Sequence, residues 1–103
     1  MGMNMKYKRP KNDNKYVWTK HAVEKMRFYG LTESRLKRVL EQPERKEVGV
    51  VEGAVAVVQT IGNKRKTEIW VMYKNEGGRK KIITVWRYPG VSPVREVPVP
   101  EDL

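Results

Sequence analysis

Near the end of the last apolar run of this chain, Trp86, Arg87 and Tyr88 are consecutive, placing an indole, a permanent cation and a phenol within three residues. An arginine can grip a phosphate through two parallel N–H donors, and an indole can stack on a base. Aromatics at a strand end are also ordinary packing residues. His21, the chain's one histidine, falls near the start of a helical pattern, where the helix dipole favours the neutral, proton-accepting ring. That position suits a general base and a structural hydrogen bond equally well. Residues 62–81 carry Lys64, Arg65, Lys66, Lys74, Arg79, Lys80 and Lys81 against Glu68 and Glu76, a local charge of +5. Taken alone, a solvated hairpin accounts for such lysines, which also block edge-to-edge aggregation. Joined to a basic N-terminus and three tryptophans, they read as a nucleic-acid footprint. Trp18 and Trp70 read as packing residues. With no cysteine, disulfides, thiol nucleophiles and Cys/His zinc sites are excluded, and neither metal nor cofactor is expected. Ser34 and Ser92 have no acid or base at a suggestive spacing, which argues against a serine hydrolase.

The elements that position these residues follow from periodicity. Thr19 can cap a helix whose apolar positions Ala22, Val23, Met26 and Tyr29 recur at threes and fours, and Gly30 ends it. Thr32 caps a second helix with the stripe Leu36, Val39 and Leu40, closed by Pro43. Four strand-like runs follow, about 46–51, 54–61, 67–73 and 80–88, separated by Glu52-Gly53, Gly62-Asn63 and the Asn75-to-Gly78 turn. Connections this short make an antiparallel meander. The expected fold is α+β, two N-terminal helices and then a four-stranded antiparallel sheet, built as one domain over residues 16–88. Residues 54–61 are apolar on both parities, as in a strand covered on both faces. In the last strand, strict alternation puts Ile83, Val85 and Arg87 on one face and Ile82, Thr84, Trp86 and Tyr88 on the other. Helices cover one face, so the other presents aromatics beside basic residues.

Outside the domain, residues 1–15 hold five basic residues and one acid, a net +4 with little to bury, and read as a disordered arm. Residues 89–103, with Pro89, Pro93, Pro98 and Pro100, read as an extended tail whose valines could dock along a sheet edge. Across 103 residues the formal charge is +10. Such a balance selects polyanionic partners, because cations that neutralise phosphates release condensed counterions. No apolar run approaches the roughly 20 residues of a membrane span, and the N-terminus leads into no signal-peptide core. A cytoplasmic protein with no membrane association is expected.

The segment TKHAVEKMRFYGLTESRLKRVLEQP resembles the opening of a family of small domains with a His-Ala-x-x-Arg-Met-x-x-Arg-Gly-Ile pattern followed by a Ser or Thr cap. His21-Ala22, Met26, Gly30 and Thr32 agree with it, Lys25 keeps the charge of the first arginine, Leu31 replaces the isoleucine, and Tyr29 departs from the second arginine. The run IITVWR looks like that family's last strand. The family resembles a branch of the RelE/ParE/BrnT toxin superfamily, in which RelE-like members cut mRNA, often on the ribosome, and ParE-like members act on gyrase. The resemblance covers about residues 17–88. It implies a metal-free RNA endonuclease in which a 2′-hydroxyl attacks the adjacent phosphorus. Under that reading Arg87 clamps the phosphorane charge, Tyr88 and His21 move protons, and Arg79, Lys80 and Lys81, together with Lys64, Arg65 and Lys66, hold the backbone. It also implies RNA or the ribosome as target and an acidic antitoxin protein as a possible partner. The same charges without reactive geometry would make a non-catalytic binding or interaction module.

Overall fold

The computed structural model describes residues 9–90; residues 1–8 of the basic arm and the tail from Val91 lie outside them. The elements are β1 (Tyr16–Trp18), α1 (Lys20–Tyr29), α2 (Glu33–Glu41), β2 (Arg45–Val48), β3 (Val55–Ile61), β4 (Thr67–Glu76) and β5 (Arg79–Pro89). The helices start and stop where local chemistry dictates. The Thr19 hydroxyl accepts from the Ala22 N–H at 3.1 Å. Gly30 takes the left-handed conformation, φ 68°, that lets the Leu31 N–H reach back to the Met26 carbonyl at 2.8 Å. Thr32 caps α2 in the same way as Thr19 caps α1, accepting from the Arg35 N–H.

The sheet corrects the four-stranded antiparallel expectation. It has five strands in the order β1-β5-β4-β3-β2, and β1, which precedes the helices, pairs parallel with β5, Tyr16 opposite Lys80 and Trp18 opposite Ile82. Three residues are too few to show a period of two, so Tyr16–Trp18 passes for the lead-in to a helix. What makes the segment a strand is distant in sequence. The Lys80 N–H donates to the Lys15 carbonyl and the Thr19 N–H to the Ile82 carbonyl, while Tyr16 and Trp18 turn their rings into the core. The arm is shorter than expected as well. Asp13 accepts from the Lys15 and Tyr16 N–H groups at 2.8 Å each, Asn12 accepts from the Trp18 N–H at 2.7 Å, and Pro10 is buried.

Both helices pack on one face of the sheet, where Met26, Leu36 and Val39 meet Val57, Ile69 and Val71. A smaller cluster of Ala56, Val58, Trp70 and Trp86 lies on the helix-free face, so β3 is covered on both sides as its composition implies. Between β4 and β5 the register shifts: Tyr73 faces Ile82 while Met72 faces Thr84, which leaves Ile83 as the extra residue of a β-bulge. The bulge overturns the face assignment from strict alternation. Ile82 joins Val85 and Arg87 on the helix side, and Ile83 falls on the other. The β4–β5 turn is also tighter than expected, with Gly77 and Gly78 both at positive φ, 59° and 80°, as a two-residue hairpin of type I′ requires. No helix among the described residues is long and apolar enough to cross a membrane.

Candidate nucleic-acid interface

Arg87 and Tyr88 are neighbours on one strand and therefore point to opposite faces. Arg87 faces the helices, where its Nη2 donates to the Tyr29 carbonyl at 3.1 Å. There it lines a recess of about 220 Å³ with Arg35, Thr32 and Ile69. Tyr88, opposite Glu68, stands on the helix-free face and is 39% exposed. His21 is exposed in the first turn of α1 and lines a shallow cleft with Lys74, Glu76, Lys81 and Ile83. Ile83, the lining residue of that cleft nearest Arg87 on β5, is four residues before it, roughly 13 Å along a strand. Phosphoryl transfer needs base, charge clamp and acid around one phosphorus. The fold does not bring His21, Arg87 and Tyr88 together for it.

The basic run 62–81 is likewise divided. Lys64, Arg65 and Lys66 project from the β3–β4 loop and are exposed. The loop turns at Gly62, φ 95°, where a Cβ would run into the Arg65 carbonyl oxygen, and it is tied to the end of β5 by the Gly90 N–H, which donates to the Lys66 carbonyl at 2.7 Å. The loop thus lies at the end of β5 that carries Tyr88, and none of its three cations has an ion pair among the described residues. At the other end of β4, roughly 30 Å away by strand rise, Arg79 donates to the Asp13 carbonyl. There Lys80 lies 5.3 Å from the Tyr73 ring centre, and Lys81 approaches Glu76 at 3.7 Å.

The helix-free face holds a constellation that sequence reasoning missed. Trp70 and Trp86, paired across β4 and β5, stack with centroids 5.3 Å apart and planes 4° from parallel. The Arg45 guanidinium lies 5.3 Å from the Trp70 ring on β4. Glu68, fully buried, accepts from the Trp70 indole N–H at 2.9 Å and from Arg45 Nη1 at 3.2 Å. Arg45 Nε also reaches the buried Glu47 at 3.1 Å. A charge in the apolar run Glu68-Ile69-Trp70-Val71 is the one local signal of this network; its partner Arg45 is 23 residues away and no spacing rule joins them. Elsewhere, the two backbone N–H donors hold the Asp13 carboxyl below its ordinary 3.8. Burial and the nearby Glu41 carboxylate push the Tyr16 phenol up.

Among the described residues no group of three or more His, Asp and Glu side chains could hold a metal ion. Comparison of the chain with protein-family models, with curated proteins and with solved structures finds no match.

Proposed function

We propose that this domain binds nucleic acid through its charge and does not cleave it. The observation that carries the reading is the β3–β4 loop, whose Lys64, Arg65 and Lys66 are exposed, adjacent and without acidic partners among the described residues, at the end of β5 that carries the exposed Tyr88. The carboxylate nearest the loop on β4 is already committed, since Glu68 is buried against Arg45. A cluster of that kind attracts phosphates, and each contact releases counterions. Separation of His21, Arg87 and Tyr88 favours binding over the endonuclease chemistry that the family resemblance implies. The test is a binding titration with fluorescein-labelled RNA, run beside a cleavage assay on the same strand. Wild-type protein binds near 0.1 M salt and leaves the RNA intact, and the K64A/R65A/K66A variant binds at least tenfold more weakly. Cleavage that disappears in R87A and Y88A, or affinity indifferent to the triple substitution, contradicts the proposal.

A further inference from the structure

Arg45, Trp70 and Trp86 form a row on the helix-free face, with guanidinium to indole and indole to indole both at 5.3 Å. The row is built in advance. Trp70 is 4% exposed, and its N–H is held by the buried Glu68, which is itself held by Arg45. Trp86 ends the row and is only partly buried. One face of its indole rests on Trp70. Beside the other no strand stands among the described residues, because β1 pairs with β5 only from Lys80 to Ile82. Two residues further along the same face comes Tyr88, exposed.

Charge brackets this aromatic edge. Lys74 and Lys81, lining the His21 cleft, lie toward one end of the face, and the Lys64-Arg65-Lys66 loop lies at the other, clamped to Gly90. An aromatic surface between cations takes a base on the ring and phosphates on the lysines, and it does so best with bases that are not already paired. We propose that the open side of Trp86 receives an unpaired nucleobase, with Tyr88 as the neighbouring platform, so that the chain prefers single-stranded to double-stranded nucleic acid. The inference deepens the binding reading above and rests on it. No group need move for the first stack, because Trp70 already fixes the plane.

The test uses the full chain with oligouridylate, an abasic strand of equal length and a duplex, read by tryptophan fluorescence and by anisotropy of a labelled strand. Wild-type protein is expected to bind oligouridylate roughly tenfold more tightly than the abasic strand, the usual scale of one base–aromatic stack, with quenching of its tryptophan emission. W86A is expected to lose that difference while keeping the salt dependence of wild type, and W86F to keep most of it. Equal wild-type affinity for base-bearing and abasic strands, or a folded W86A variant that still discriminates between them, overturns the stacking proposal and leaves charge-driven binding standing. The abasic comparison decides the matter even where W86A fails to fold. Failure of wild type to bind any strand at low salt removes the binding reading itself, and the stack with it.

Discussion

At the scale of single residues, the least expected feature is Glu68, a carboxylate with no exposed surface on the face the helices leave uncovered. Its position stands on partners: the Trp70 N–H and Arg45 both donate to it. Removing Glu68 leaves the buried Trp70 N–H without an acceptor, which costs about 1 to 3 kcal/mol, while Arg45, its side chain 22% exposed, keeps Glu47. Glu68→Ala should therefore lower the unfolding free energy by about that amount in urea, and Glu68→Gln by less, since an amide oxygen still accepts from Trp70. Equal losses in the two variants would show that the indole bond contributes nothing. Asp13 gives a pH-dependent counterpart. Its carboxyl lies below the ordinary 3.8 because two backbone N–H groups donate to the ionised form, so its contribution is whole above that ordinary value and fades as pH falls through the folded one. The stability difference between wild type and Asp13→Ala should be constant from pH 5 to 7 and shrink toward pH 2; a difference that persists in acid contradicts the assignment.

At the scale of elements, Thr19 joins what the sequence shows to what it hides. As a cap it is legible, because a Thr before a period of threes and fours is a local signal, and the same holds for Gly30 and Thr32. Its second bond is not legible: the hydroxyl donates to the Ile82 carbonyl at 2.7 Å, 63 residues away, and fastens the start of α1 to β5. Thr19→Ala loses both bonds and should cost about 1 to 2 kcal/mol, whereas Thr19→Ser should be close to wild type by thermal melting. A Thr19→Ala variant as stable as wild type would leave the β1–α1 junction without its proposed tie. The strand β1 and the bulge at Ile83 escaped the sequence for the same physical reason. Both are defined by pairing with residues far along the chain, and alternation within β5 carries no mark of the extra residue. The bulge decides which side Ile82 and Ile83 face, which is why strict alternation separates Ile82 from Val85 although both join the core, while it keeps Arg87 and Tyr88 on opposite faces as observed.

At the scale of the whole molecule, the charge count over residues 62–81 joined Lys64–Lys66 with Arg79–Lys81, and the family resemblance grouped His21 with Arg87. Distance along the sheet separates both pairings, and that distance is invisible in a charge count over residues 62–81. The basic arm is also more than a charged appendage. Deleting residues 1–15 removes Asn12 and Asp13, whose bonds to the Trp18, Lys15 and Tyr16 N–H groups hold β1 in place. Melting should fall by several degrees, since β1 loses the acceptors that fix the Tyr16 and Trp18 N–H groups. An unchanged melting temperature would show that β1 holds without them. Binding driven by phosphate contacts has a signature that no structural role imitates, a linear fall of log affinity with log salt. The slope for a labelled single strand, measured for wild type and for K64A/R65A/K66A, decides whether the β3–β4 loop holds phosphates. Three lost contacts at about 0.7 each should make the variant's slope shallower by roughly 2. Identical slopes, or affinity that does not respond to salt, would contradict that role.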